Sequence, residues 1–412
     1  MARKVLISFL GTGPLESKES RVYKTAKYRL GDNELGSFPF VSAALKEYYS
    51  IDKVLLVGTV HSMWEEVYRW FSANSQKNID DDVYLSIDDY CKEADHSSSL
   101  FLPHQAEIEN AIGEGSRIVL IKYGINEKEV MDNINIILGL EQYLNEGDEL
   151  IVDITHSFRS LPIFMMNLLI YLKNVSGKRI NISHIHYGML EINKELGYTP
   201  IIDLKAMMEV NEWITGAYSF SRFGNAYKIS ELLSEEEKSV STLLDDFSNL
   251  MNLNHLHGIQ NISQRLSSIK DKEYGTLLPQ LTISPIVKKF VKRFSVQKNN
   301  HALFQVKVAK WQLEHRKYAQ SLLTLNEAMI TYVCEQNGLT WDDYEMREIA
   351  KSVLKNHAVP HNLSCPKELI EIYKTLRPLR NCTAHALETK KGVAFMIMTI
   401  SDSLKTIESI IK

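Results

Sequence analysis

The fold of this chain is indicated first by residues 5–14, which read VLISFLGTGP. The apolar run is typical of a buried β-strand. Two glycines follow it closely, and glycine permits a tight turn in which backbone N–H groups can approach a phosphate. A dinucleotide-binding fingerprint needs a third glycine at position 16, where this chain has Glu16. The stretch therefore predicts a strand and a ligand-binding loop, and it disfavours a nicotinamide site.

Outward from this strand, the first half of the chain alternates short β-branched runs with helical patterns. Strands are predicted at Val5–Leu10, Val54–Val57, Ile118–Lys122, Leu150–Ile154, Ile180–Leu190 and Tyr198–Leu204. Helices are predicted at Phe40–Tyr49, Ser62–Ser72, Glu127–Leu144 and Leu161–Lys173. This alternation predicts an α/β domain with a mostly parallel sheet and helices on both faces.

The second half shows apolar residues at helical spacing, for example in Ser230–Leu253 and Tyr318–Glu335. A chain of 412 residues is too long for one ordinary core. We therefore expect an α/β domain at residues 1–204, a connecting helical segment at 205–224 and an all-helical domain at 225–412.

The composition is that of an ordinary globular protein, with 44% hydrophobic and 24% charged residues. The longest apolar stretch, Leu161–Leu172, is too short for a membrane span, which needs about 20 residues. Four cysteines without C-x-x-C spacing fit a reducing cytoplasm. Residues 221–412 hold 26 Lys and Arg against 20 Asp and Glu. This half of the chain is therefore better suited than residues 1–220 to bind a polyanion.

A second polar loop follows the strand predicted at Leu150–Ile154. Residues 153–160 read DITHSFRS and run into the apolar helix predicted from Leu161. Hydroxyls, an imidazole and a guanidinium thus cluster at the carboxyl edge of the sheet, beside a helix N-terminus whose dipole favours anions. Open α/β sheets bind ligands at this edge. Thr59, after the strand at Val54–Val57, adds a third polar loop there.

Residues 380–385, which read RNCTAH, carry the catalytic candidate of the helical half. On a helix, Arg380 and His385 lie about 140° apart around the axis, and a long guanidinium can still converge with the imidazole on one groove. A histidine can move protons near neutral pH, and an arginine stabilises charge on a phosphate without a metal. The pair suits RNA cleavage.

His184 and His186, which a strand places on one face, are the candidate metal ligands. No carboxylate or cysteine has convincing spacing to them, so we interpret them as core or surface histidines and expect no bound metal.

Taken together, residues 9–13, 153–160 and 380–385 resemble the CRISPR-associated ribonucleases of type III systems, which join a CARF sensor domain to a HEPN nuclease domain. The resemblance spans essentially the whole chain. It implies a homodimer, or a higher oligomer, that binds cyclic oligoadenylate across paired CARF domains, with the four-membered ring favoured over the six-membered one. Allosteric activation would then let two HEPN domains cut single-stranded RNA in antiviral defence, with no cofactor and no membrane involved.

The resemblance also implies the residues of the two sites. With Thr59 added from its place in the third loop, the expected ligand-binding residues are Gly11, Thr12, Gly13, Thr59, Thr155, His156, Ser157 and Arg159. The expected catalytic residues are Arg380, Asn381 and His385, and cleavage would leave a 2′,3′-cyclic phosphate. Residues 219–301 carry no feature that the resemblance explains.

Two alternatives stay open. The chain could be a ligand-binding regulator whose helical half recruits nucleic acid or a partner without cleaving it. Incubation of RNA with and without cyclic oligoadenylate in chelator separates that function from a nuclease. A nucleotide-dependent oxidoreductase, which Glu16 disfavours, would have to bind NAD.

Overall fold

The apolar run at residues 5–10 forms most of β1, Lys4–Leu10, and every residue of that run is buried. The structure is a computed structural model that describes residues 2–17, 21–156, 158–297, 299–356, 363–385 and 392–412, without the side chain of His385. The chain divides into two units, Met1–Glu209 and Val210–Lys412.

The first unit is built on a sheet to which β1 is central. Its other strands are β2 Ala26–Leu30, β3 Asn33–Phe38, β4 Lys53–Gly58, β5 Arg117–Leu120, β6 Glu149–Asp153, β7 Asn181–Gly188 and β8 Thr199–Asp203. Their order across the sheet is β3-β2-β8-β7-β6-β1-β4-β5. Among the described strands, pairing is antiparallel only between β2 and β3 and between β7 and β8. The mostly parallel sheet predicted from the sequence is confirmed.

Helices cover both faces of this sheet. They are α1 Val41–Tyr49, α2 Trp64–Asn74, α3 Asp81–Glu93, α4 Gln105–Ile112, α5 Glu127–Leu138, α6 Leu161–Asn174 and the short α7 Asn193–Leu196. Alternate residues of β1 face opposite cores: Leu6 packs in the core that α1 to α4 cover, whereas Ile7 packs in the core that α5 and α6 cover. Burial on both faces explains why the parallel strands read as continuous apolar runs.

The sequence patterns missed the hairpin of β2 and β3, which forms one edge of the sheet. Its residues are mostly half-buried or exposed, and Tyr28 and Phe38 are its buried side chains. The hairpin turn contains Gly31 with a positive φ of 57°. An edge strand with so little burial lacks the apolar run by which the inner strands were recognised.

The second unit is helical in all its described elements. Its helices are α8 Ala206–Phe223, within which the boundary between the units falls, α9 Tyr227–Leu233, α10 Lys238–Leu253, α11 Leu256–Leu266, α12 Leu277–Phe294, α13 His301–Glu314, α14 Tyr318–Gln336, α15 Tyr344–Leu354, α16 Lys367–His385 and α17 Val393–Ile411. Within the described ranges, no helix has the length and apolarity needed to cross a lipid bilayer.

Two hydrophobic cores share α13. Phe304, Val308 and Trp311 pack in one core with α8 to α12, and Ala302 and Val306 pack in the other with α14 to α17. A helix with apolar residues on opposite sides is buried between its neighbours.

The segment Ser230–Leu253, expected to be continuously helical, is in fact two helices, α9 and α10. Ser230 and Ser241 bond to each other across them, with their Oγ atoms 2.8 Å apart and each hydroxyl also bonded to the other residue's carbonyl. The chain must therefore reverse direction between them, which apolar spacing alone does not reveal.

Candidate functional sites

A pocket opens at the carboxyl edge of the sheet, where β1, β4, β5 and β6 end. β1 pairs in parallel with β4 on one side and with β6 on the other. The strand order therefore reverses at β1, and open α/β sheets bind ligands outside the strand ends at such a reversal. The pocket volume is about 560 Å³, within the range of about 300–1,000 Å³ that is typical of small-molecule sites.

The three loops predicted from the sequence supply much of this pocket's wall. The predicted residues that line it are Gly11, Thr12, Gly13, Thr59, Thr155 and His156. Most of the other lining residues are apolar, and they were not predicted: Leu10, Pro14, Val57, Gly58, Ser62, Ile121, Phe158, Leu161 and Leu190. No Lys or Arg lines the pocket among the described residues, so an anionic ligand would depend on N–H groups and hydroxyls.

The remaining two predicted residues are not in this wall. Arg159 is exposed and does not line the pocket, although the preceding Phe158 does. Ser157 lies outside the described residues. α6 begins two residues after Arg159, at Leu161, and its first turn contains no acidic residue. The partial positive charge of this helix end is therefore not neutralised within that turn.

The loops after β1 and β4 are bonded to each other. Ser62 Oγ donates to the Leu10 carbonyl at 2.8 Å, and the Met63 N–H donates to the Gly11 carbonyl at 3.0 Å. Gly13 has a positive φ of 61°, and a Cβ atom there would lie 2.7 Å from the sulfur of Met63. Position 13 therefore requires glycine for both conformation and space.

The loop after β6 is held by a fully buried carboxylate. Asp153 accepts hydrogen bonds from Ser8 Oγ at 2.6 Å and from the Thr155 N–H at 2.9 Å. Thr155 Oγ1 also donates to Asp153, at 2.5 Å, and accepts from the Gly188 N–H at 2.7 Å. The Thr155 hydroxyl is thus committed to partners within the protein, and its direct effect is to hold the loop in place.

His156 contributes an imidazole with an unused nitrogen to the pocket. Its Nε2 is buried and has no hydrogen-bond partner among the described residues. Burial lowers the pKa of His156, against an opposing effect of the Asp153 carboxylate. The ring is therefore neutral at neutral pH. Because an unbonded buried polar atom costs about 1–3 kcal/mol, a ligand that bonded to Nε2 would gain affinity there.

A second cleft, of about 250 Å³, lies between α14, α15 and α16 in the helical unit. Arg380 and Asn381 line it. The other lining residues are mostly polar or charged: Asn326, Glu327, Ile330, Glu348, Lys351, Lys355, Tyr373 and Arg377. Two of the three predicted catalytic residues thus share one cleft with several cations.

The motif residues of this cleft lie on one helix, α16. Arg380 Nη1 donates to Asn381 Oδ1 at 3.4 Å, a long hydrogen bond between neighbouring residues. His385 ends the described part of α16, and its side chain lies outside what the structure describes. Pro378, inside the helix, has no N–H with which to bond the carbonyl one turn earlier, so the helix is locally weakened beside Arg380.

Sequence reasoning missed the cations Lys351, Lys355 and Arg377. Arg377 could have been found, because it lies three residues before Arg380 and so on a neighbouring part of the same helix surface. Lys351 belongs to α15 and Lys355 to the turn directly after it, and only the packing of α15 against α16 brings them to the cleft. No local spacing encodes that contact.

His184 and His186 are engaged with protein partners. Their rings stack with centroids 5.2 Å apart; His184 Nδ1 lies 2.6 Å from Asp203 Oδ2, and His186 Nε2 lies 2.9 Å from the Tyr49 hydroxyl. Burial lowers the pKa of His186. The part of the chain that the structure describes contains no group of three or more His, Cys, Asp or Glu arranged to hold a metal ion.

Comparison with known families identifies the first unit. Residues 5–191 match the family described as CRISPR system endoribonuclease Csx1, CARF domain. Residues 209–300, which the sequence motifs left unexplained for most of their length, match the family described as CRISPR-associated protein MJ1674, second domain. The first unit therefore belongs to the CARF domains of CRISPR-associated proteins.

Among individual proteins, the chain is similar to CRISPR-associated protein MJ1674 of Methanocaldococcus jannaschii, with 33% identity over 410 residues. The match covers 95% of this chain and 63% of the length of that relative. Among solved structures, Enterococcus italicus Csm6 bound to cyclic hexa-2′-fluoro-hexa-dAMP matches 100% of this chain and 94% of its own, with a TM-score of 0.38 and 12% identity. A similarity this low supports no argument about function.

Proposed function

We propose that this chain is an endoribonuclease that is activated by cyclic oligoadenylate and cuts single-stranded RNA in cytoplasmic, type III CRISPR antiviral defence. The observation that carries the proposal is the combination, in one chain, of two features. A CARF domain has its pocket at the reversal of the strand order, and a HEPN-like motif places Arg380 and Asn381 in a cationic cleft.

The pocket of the first unit suits the two chemical parts of a cyclic oligoadenylate. Its apolar wall, which includes Ile121, Phe158 and Leu190, suits adenine rings. Backbone N–H groups of the Gly11–Gly13 loop suit the phosphates, and the start of α6 adds only its partial positive charge, because its first N–H groups bond within the chain. We further propose that Arg159, which does not line the pocket, contacts these phosphates. We also propose that the four-membered ring is preferred, and this preference rests on the resemblance alone.

Exposed apolar side chains near this pocket support a homodimer. Phe158 is 43% exposed and Ile163, on α6, is 63% exposed. Large exposed apolar residues commonly mark surfaces that bury against a partner. A two-fold axis beside the pocket would let two copies share one ring with an even number of nucleotides.

The proposed reaction needs no metal ion. His385 takes the proton of the ribose 2′-hydroxyl, whose oxygen attacks the adjacent phosphorus, while the bond from phosphorus to the 5′-oxygen breaks. The second His385 of the dimer protonates that leaving oxygen. Arg380 stabilises the added negative charge on the phosphorus oxygens, and its hydrogen bond to Asn381 helps to position the guanidinium. The products are a 2′,3′-cyclic phosphate and a 5′-hydroxyl.

The test is incubation of labelled single-stranded RNA in EDTA, with and without cyclic tetra-adenylate. We expect cleavage with 2′,3′-cyclic phosphate ends, and nearly complete loss of cleavage in Arg380→Ala and in His385→Ala. Lys374→Ala is the matched control, because Lys374 is exposed on α16, pairs with Glu371 and does not line the cleft. Full activity in either motif variant would contradict the assignment. RNA that is bound but never cut would favour a regulator that recruits RNA.

A further inference from the structure

The cleft around Arg380 holds more positive charge than the cleavage step uses. Lys351 enters it from α15, Lys355 from the turn directly after α15, and Arg377 from α16. Tyr373 and Arg377 are four residues apart and so lie on one face of α16, and Lys355 directly follows the last residue of α15. Two helices thus present cations to the same space.

The carboxylates of this cleft are already paired. Glu348 Oε1 accepts from Lys351 Nζ at 2.6 Å, and Glu327 Oε2 accepts from Arg347, a residue that does not line the cleft, at 2.5 Å. No carboxylate of the described residues lies within ion-pair distance of Lys355 or Arg377, although Lys355, like Lys351, acts to lower the pKa of Glu348. Two cations therefore remain available to an external anion.

Tyr373 lines the same cleft. This residue is 5% exposed, and burial raises its pKa, while Arg377, Lys351 and Arg380 act to lower it and Glu327 acts to raise it. A space of about 250 Å³ surrounded in this way suits a small anionic group rather than a whole nucleotide.

We propose that Lys355 and Arg377, with Lys351 beside them, form a subsite that binds a backbone phosphate of single-stranded RNA next to the phosphate that is cleaved. This subsite rests on the proposed function, because it extends the same cleft. Lys and Arg contacts to backbone phosphates position a nucleic acid without reading its sequence. The subsite therefore contributes to substrate binding, whereas Arg380 and His385 act on the bond that breaks.

Binding is tested with fluorescein-labelled single-stranded 2′-O-methyl RNA, which lacks the attacking hydroxyl and stays intact. The variants are Lys355→Ala, Arg377→Ala and the double variant, with Lys374→Ala as the control of equal charge change. We expect the Kd from fluorescence anisotropy to rise about tenfold per residue, as for the loss of a hydrogen bond to a charged group. The slope of log Kd against log salt falls by about 0.7 per lost phosphate contact.

Unchanged affinity and slope in the double variant would overturn the subsite, as would an equal loss in Lys374→Ala or a wild type that does not bind this RNA. Cleavage of ordinary RNA, measured in parallel, separates this inference from the proposed function. A wild type that binds through these residues but never cuts contradicts the nuclease and leaves the subsite standing. If both hold, the double variant raises KM and leaves kcat within about twofold, with circular dichroism confirming its fold.

Discussion

At the scale of single residues, the two glycines after β1 serve different purposes. A Cβ atom at Gly11 would meet the Cβ of His156 at 3.5 Å, an ordinary contact. Gly13 has a positive φ, and a Cβ atom at this position would overlap the side chain of Met63. Gly13 is thus needed by the fold, and Gly11 leaves room beside the pocket.

We predict that Gly13→Ala lowers the free energy of unfolding by roughly 1–3 kcal/mol, because a non-glycine residue with positive φ is strained and the added methyl is crowded. Gly11→Ala should change stability little and weaken binding of cyclic tetra-adenylate. Urea unfolding followed by tryptophan fluorescence, and calorimetric titration of the ligand, measure the two effects. Equal stability of the two variants would show that the loop adopts another conformation.

Glu65 offers a pH test of the same region. It is 2% exposed, it accepts a hydrogen bond from the Tyr23 hydroxyl, and burial raises its pKa to about 7. An acid with a raised pKa holds its proton more tightly when folded, so stability is lost as pH rises from about 4.5 through 7.

We therefore predict that Glu65→Gln, which keeps the shape and removes the titration, gains stability relative to wild type between pH 5 and pH 8, by up to about 3 kcal/mol. Parallel unfolding curves at several pH values measure the difference. All other residues are the same in both proteins, so their contributions to the pH dependence cancel in the comparison. A difference that is constant with pH would mean that Glu65 is ionised throughout this range.

At the scale of secondary-structure elements, the inner strands were predictable and the edge hairpin was not. β1, β4 and β6 are buried on both faces, which gives uninterrupted apolar runs. The loops of the pocket were predictable for a related reason, because polar residues directly after such strands must meet at one sheet edge. Lys351 and Lys355 were not predictable as part of the cleft, because contacts between distant helices leave no local pattern in the sequence.

The loop after β6 yields a prediction that differs from a simple ligand contact. Thr155→Val removes the hydroxyl that bonds Asp153 and the Gly188 N–H, and it leaves buried polar groups unbonded at a cost of about 1–3 kcal/mol. We expect a lower thermal midpoint together with a higher activator requirement. Thr155→Ser keeps both bonds and should resemble wild type. A Thr155→Val protein with normal stability but impaired activation would mean that this hydroxyl contacts the ligand itself.

At the scale of the whole molecule, the proposal joins a sensor and a nuclease in one chain. A ligand can raise activity only if it binds one arrangement of the dimer more tightly than another. Typical coupling free energies of about 1–3 kcal/mol correspond to about 5–150-fold changes. Since the proposed nuclease site takes Arg380 and His385 from both copies of a homodimer, specific activity should also fall when the protein is diluted below its dimer dissociation constant.

The most direct measurement is the cleavage rate of single-stranded RNA in EDTA across a titration of cyclic tetra-adenylate, for wild type and for Arg159→Ala. The account predicts that saturating ligand raises the wild-type rate by about 5–150-fold, and that Arg159→Ala needs more ligand while keeping the slow ligand-free rate. A rate that no cyclic oligoadenylate changes, with rings of three, four and six nucleotides all tried, would contradict it.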